Sequence, residues 1–196
     1  AAAPAAAERS AARSVSVELA ELQRAVLEAA IRAPSAGNSQ PWRFRVVAGG
    51  VECRLDPGRV RTLMDFGLGA TYLAFGAAAE NIALAAAERG ARARIEPFPD
   101  AADPALVCRV ALEPGPGPRR PDLAAQIPAR RTNRTWSRPP LLTAEQAAWL
   151  HGEVPAEQGR LVLLRRREQL AEAARLMAAC DRVCLLNPTM NAETMH

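Results

Sequence analysis

The nine residues Pro34-Ser35-Ala36-Gly37-Asn38-Ser39-Gln40-Pro41-Trp42 combine restriction, close approach and paired hydrogen-bonding groups. Two prolines limit the backbone, and Gly37 between them permits positive φ or the near approach of a ligand. Asn38 and Gln40 can each donate and accept, which suits a flat heterocycle whose edge alternates carbonyls with N–H groups. The same residue types also fill ordinary helix-to-strand connections, because Ser, Gly, Asn and Pro favour turns. A second cluster, Arg130-Arg131-Thr132-Asn133-Arg134, brings three guanidinium groups and a hydroxyl to one turn. Such a set can hold a dianionic phosphate through charge-assisted hydrogen bonds, although a solvated arginine turn has the same composition.

Other reactive residues offer less. All 25 basic residues are arginine, so a P-loop lysine, a Schiff-base lysine and a pyridoxal-phosphate anchor are excluded. His151 and His196 are too few for most metal sites, and none is expected. Cys53 and Cys108 fall in strand-like stretches and read as buried reduced thiols. Cys180 and Cys184 lie one helical turn apart, as buried thiols or as a redox pair. No residue stands out as a general acid or base.

The elements around these residues follow from periodicity. Ser16 can cap a helix whose first turns hold Glu18 and Glu21; Leu19, Leu22, Val26 and Ala29/Ala30 give it one apolar face, and it should stop near Arg32. Alternation predicts a hairpin of strands 42–48 and 51–55 about Gly49-Gly50. A helical turn is expected at 59–64, then a long helix over 70–89 ended by Gly90. Strands are expected at 91–98 and 106–112, a Pro/Gly linker at 114–121 and a short helix over 122–127. Thr143 should cap a helix to Leu150; a strand at 161–164 and a helix from Arg167 to about Val183 follow, broken by Asn187-Pro188.

The formal charge of +4 is modest and the arginines are scattered, with no basic stripe among aromatics and no zinc-finger spacing, so nucleic-acid binding is not signalled. Residues 1–15 are Ala-rich and lack the apolar core of a secretory signal; they read as an interdomain linker. Residues 66–87 are nearly apolar over a bilayer-spanning length, but Glu80 and Asn81 interrupt them. A buried helix in a cytoplasmic, reduced protein is expected, with no membrane partner.

The full string from Pro34 to Trp42 resembles the Pro-Ser-Ser-x-Asn-x-Gln-Pro-Trp signature of the FMN-dependent nitroreductase superfamily, including the preceding helix and following strand. The resemblance implies that Pro34, Ser35, Ala36 and Asn38 line a flavin, with Gln40 supporting the loop. Ala36 stands in place of the commoner second serine, so one hydroxyl contact is lost or taken over by the backbone. The segment Gly76-Ala77-Ala78-Ala79-Glu80-Asn81 resembles the superfamily's central helix, which packs at its dimer interface. The superfamily's phosphate motif, Arg-x-Ser-x-Arg/Lys, is absent upstream of Pro34. Arg130, Arg131, Thr132 and Arg134 fit it instead, with Thr132 in place of serine.

These matches imply an α+β nitroreductase-like fold: an antiparallel or mixed sheet flanked by helices, a long central Ala-rich helix, and a degenerate internal duplication. Residues 16–113 would form a first half with the ring loop. Residues 122–196 would form a second half with the phosphate motif, and the chain is expected to continue beyond His196. The halves would close on one FMN as a pseudo-dimer, or two chains would do so as a homodimer. Leu63-Met64-Asp65-Phe66, Pro97-Phe98-Pro99-Asp100 and Asn187-Pro188-Thr189-Met190 narrow the resemblance to Acg-type proteins. They resemble more closely the nitroreductase-like domain fused behind a ThiF-like adenylating domain. Implied is an oxidoreductase passing hydride from NAD(P)H through FMN to a nitro, quinone-like or heterocyclic acceptor. A flavin-sequestering protein without turnover and a flavin-free structural partner of the adenylating domain are the alternatives.

Overall fold

The first helix, α1 (residues 18–30), buries Val26, Ala29 and Ala30 on the face that the sequence predicts. The computed structural model describes residues 18–60, 63, 65–133, 135, 142–154 and 159–195; Ser16, the expected cap, lies outside them. On α1, the buried Gln23 donates through Nε2 to the carbonyls of Val47 (2.9 Å) and Gly50 (3.0 Å). That amide ties the helix to the turn of the following hairpin, whose strands are β1 (Trp42–Val47) and β2 (Gly50–Leu55). Gly50 is required there, because a Cβ would lie 2.2 Å from the Val110 carbonyl oxygen.

Much of the turn expected at 59–64 lies outside the described residues, while a 3-10 turn forms at Pro57–Arg59. Asp56 caps it by accepting from the Gly58 amide at 3.1 Å, and Pro57 supplies the preset φ of a first helical position. Arg61, Thr62 and Met64 lie outside the described residues. The long helix α2 (Gly69–Ala87) is capped by Asp65, whose carboxylate accepts from the amides of Ala70 (2.7 Å) and Thr71 (2.8 Å). Gly90, at φ 72°, ends it as expected. By length and composition Phe66–Ala87 could cross a bilayer; 56% of its apolar window is buried inside this structure.

Strands β3 (Ala91–Pro97) and β4 (Leu106–Pro114) complete an antiparallel sheet in the order β1-β2-β4-β3. One face carries Val51, Cys53, Val110 and Leu112 against Phe75, Ala78 and Ile82 of α2, and this is the core. Cys53 lies directly opposite Cys108, and both are buried thiols. A hydrogen bond with the Cys108 thiol, together with burial, pushes the Cys53 thiol well above the usual range. A bulge follows Cys53, so Arg54 pairs with Leu106 and Val107 is the extra residue. The opposite face is ionic. Its buried Glu52 accepts from Arg45 (2.9 Å) and Arg109 (3.4 Å). Burial pushes the Glu52 carboxyl up, but those hydrogen bonds prevail and hold it below the ordinary glutamate value.

Beyond the Pro/Gly stretch, two single turns replace the one predicted helix: α3 (Pro121–Ala124) and α4 (Gln126–Ala129). Pro128 has no N–H to give to the Ala124 carbonyl, so the helical ladder breaks there. Segment α3 packs with α2, and the compact units divide between Arg131 and Thr132, later than the Pro/Gly stretch. The second unit holds α5 (Ala144–Gly152), α6 (Arg167–Leu186) and α7 (Pro188–Met195). Thr143 caps α5 through a capping box with Gln146, as its sequence spacing allows. The strand expected at 161–164 does not form. Those residues alternate in exposure, but no second strand is paired with them among the described residues, and an isolated alternating segment has no ladder. The α+β class and the antiparallel sheet agree with a nitroreductase-like fold.

Candidate flavin site

Past α1 the chain enters the predicted loop at Pro34, and Ala36–Asn38 make one 3-10 turn. Gly37 takes φ 57°, the freedom expected of it. Asn38 (φ 56°) and Gln40 (φ 51°) are left-handed too, which sequence reasoning missed. For glutamine that conformation costs about 1–2 kcal/mol, so neighbouring groups must hold it. The Gln40 amide donates to Ser35 Oγ at 3.0 Å, and Gln40 Nε2 donates to Asn38 Oδ1 at 3.1 Å. From the turn that follows the hairpin, Arg59 donates to the Gln40 carbonyl at 3.4 Å, and the Asp56 amide donates to the Pro41 carbonyl at 2.9 Å. Trp42 closes the loop by inserting into the core, edge-on to Phe75 with ring centroids 6.2 Å apart.

Asp56 is the hinge pin of this arrangement. Its carboxylate accepts from Arg43 Nε at 2.9 Å and pairs with Arg59 at 3.3 Å. The Arg43 hydrogen bond outweighs burial and, with the Gly58 amide, holds the Asp56 carboxyl below the usual aspartate value.

Two recesses border the loop. The first is an apolar cleft of about 640 Å³ between Pro34, Ser35 and Ala36 on one side and Leu73, Gly76 and Ala77 of α2 on the other. Small side chains on α2 leave a flat wall, the surface a planar ring system needs. The second is a polar recess of about 150 Å³ that brings Asn38 and Gln40 together with Arg32, Arg130 and Arg131. Its volume suits a phosphate-sized group. Arg131 Nη1 donates to the carbonyls of Pro128 (2.8 Å) and Arg130 (2.9 Å), so backbone contacts orient that guanidinium.

Of the residues singled out in the sequence, the structure therefore places Pro34, Ser35 and Ala36 at the cleft, and Asn38, Gln40, Arg130 and Arg131 at the recess. Thr132 is exposed and begins the second unit, while Arg134 lies outside the described residues. Arg32 was missed. Its only sequence signal is its place in the last turn before Pro34, and nothing local connects it to Arg130. Arg59 and Asp56, which fix the loop's exit, were also missed because their partners belong to a different element.

The donor set fits a phosphorylated flavin. Asn38 Oδ1 is engaged by Gln40, so the pair can present the Asn38 amide nitrogen and the second N–H of Gln40 Nε2 as donors. The cleft offers an apolar wall for a ring, and the recess offers guanidinium forks for a phosphate.

Residues 14–60 match the sequence profile of the Nitroreductase family, a stretch that contains α1, the loop and the β1–β2 hairpin. Over that stretch, and in its α+β antiparallel-sheet architecture, the chain is similar to the Nitroreductase family. It is 32% identical over 170 residues to an uncharacterized protein, MT1398, of Mycobacterium tuberculosis strain CDC 1551 / Oshkosh; the match covers 87% of this chain and 24% of that protein. It is 35% identical over 116 residues to a protein of the same strain provisionally named NAD(P)H nitroreductase MT3217. Rv3131 of strain H37Rv, which carries the same provisional description, matches to the same extent; 59% of this chain and 34% of either relative are covered. The matched stretch thus spans about a quarter to a third of the length of these relatives.

Proposed function

We propose that the chain supplies the ring and phosphate contacts of an FMN site in an NAD(P)H-dependent oxidoreductase of the nitroreductase type. The observation that carries this reading is the polar recess, in which two elements distant in sequence bring Asn38 and Gln40 to Arg32, Arg130 and Arg131. When bound, FMN would accept hydride from NAD(P)H and pass it to a nitro, quinone-like or heterocyclic acceptor. The chain's own residues bind and orient: Asn38 addresses the ring edge, Gln40 and Ser35 hold the loop, and the arginines neutralise the phosphate. Leu73, Gly76 and Ala77 keep one ring face away from water.

Leu73, 77% exposed, stands on the α2 side of this cleft, and Phe66, 96% exposed, lies in the turn that leads into α2. A second half-site would cover the exposed Leu73 and complete the flavin pocket. The narrower reading of a nitroreductase-like domain fused behind a ThiF-like adenylating one rests on the resemblance of segments 63–66, 97–100 and 187–190. A cytoplasmic setting belongs to the same proposal.

Titration with FMN and with riboflavin, followed by flavin fluorescence, tests the site. Arg130→Ala or Arg131→Ala should weaken FMN binding about tenfold or more, since a charge-assisted hydrogen bond contributes roughly 1.5–3 kcal/mol. Riboflavin, which has no phosphate, should bind the variants and the wild type alike. Asn38→Ala should weaken both ligands. Full FMN retention in all three variants would show the site to be misplaced. Bleaching of the bound flavin by NADH or NADPH without oxygen would support turnover over sequestration.

A further inference from the structure

Sulfur is unevenly placed in this chain. Of four cysteines and four methionines, Met177, Cys180, Cys184, Met190 and Met195 fall within the last 20 residues, which makes the C-terminal helices its soft-ligand region. On α6, Met177, Cys180 and Cys184 recur at intervals of three and four and so share one stripe. Met177 is 68% exposed, Cys180 is exposed and Cys184 is half-buried, so solvent reaches the stripe. None of these sulfurs takes part in the flavin reading.

The spacing selects among sulfur chemistries. Residues four apart on a helix hold their Cβ atoms about 5–6 Å apart. A disulfide needs about 3.5–4.5 Å and would break the helix. Two metal–thiolate bonds of about 2.3 Å each, end to end, span about 4.6 Å. Sulfurs projecting from these Cβ positions can reach that separation on an intact helix. Among the described residues no three His, Cys, Asp or Glu side chains gather to hold a metal, which leaves a four-coordinate ion such as zinc short of ligands. Thiolates joined by thioethers favour copper(I).

We propose that Cys180 and Cys184 form a two-thiolate site for copper(I), with the Met177 thioether beside it as a further soft ligand. Binding forms two copper–sulfur bonds and releases the two thiol protons to solvent; no electron is transferred. Cys53 and Cys108 lie closed in the core and take no part.

The whole chain, reduced and kept free of oxygen, would be titrated with copper(I) against bathocuproine disulfonate, whose colour reports the metal that the protein leaves. The wild type should withhold one equivalent per chain. Cys180→Ser and Cys184→Ser should each lose it, with unchanged far-ultraviolet circular dichroism, while Cys53→Ser keeps it. A second measurement needs no variant: copper(I) should protect Cys180 and Cys184 together from alkylation, read by peptide mass. The proposal is overturned if the double serine variant withholds as much copper as the wild type, or if alkylation of the pair is unaffected. Half an equivalent per chain with a doubled particle mass, or an equal hold on zinc(II), would overturn it as well.

Discussion

Asp56 joins three parts of the first unit: Arg43 on β1, the turn at Gly58 and Arg59, and the loop exit at Pro41. Its folded-state carboxyl is held below the ordinary value, chiefly by Arg43. A depressed carboxylate contributes stability above its unfolded value, near about 3.9, and that contribution is lost as pH falls through the folded value. Thermal melts between about pH 3 and pH 7 should therefore show the wild type losing its advantage over Asp56→Asn toward the acid end. A constant difference across that range would contradict the assignment. Gly50→Ala should lower the melting temperature markedly, because its Cβ would overlap the Val110 carbonyl oxygen. At this scale the loop was legible in sequence because its hydrogen bonds run between neighbours, Ser35 to Gln40 and Gln40 to Asn38. Arg32 was not, since its meaning depends on a segment far along the chain folding back beside it.

The central element is α2, and its two faces call for opposite outcomes. Phe75, 1% exposed, fills the space between the sheet and Trp42. Phe75→Ala should cost about 3–5 kcal/mol in denaturant unfolding. Leu73, 77% exposed, lines the apolar cleft. Leu73→Arg should leave unfolding within about 0.5 kcal/mol of the wild type while reducing flavin affinity, a separation that a purely structural role would not give. The extent of α2 could be read from its apolar run and its terminal glycine. Its orientation could not, because alanine on both faces erases the periodicity that distinguishes a buried side from an open one. The stretch 161–164 failed in the opposite way: its alternation was visible, but the partner that turns alternation into a strand was not there to be read.

In the molecule as a whole, burial is concentrated in the first unit, where the sheet, α1 and α2 share one apolar cluster. Among the described residues of the second unit, Ala147 is the buried side chain, and α6 has none. Hydrogen exchange should accordingly find the slowest amides in β2 and β4 and much faster exchange along α6. Equal protection in both units would contradict this picture. The sulfurs of Cys53 and Cys108, facing each other on β2 and β4, give the same process a chemical voice. A thiol reagent can reach them only when the two strands part. With reagent in excess and reclosing fast, their labelling rate is the opening equilibrium multiplied by the rate of an exposed thiol. The pair is a clock for the breathing of the sheet, present without any added label and readable by peptide mass in a chain of any length that contains this unit.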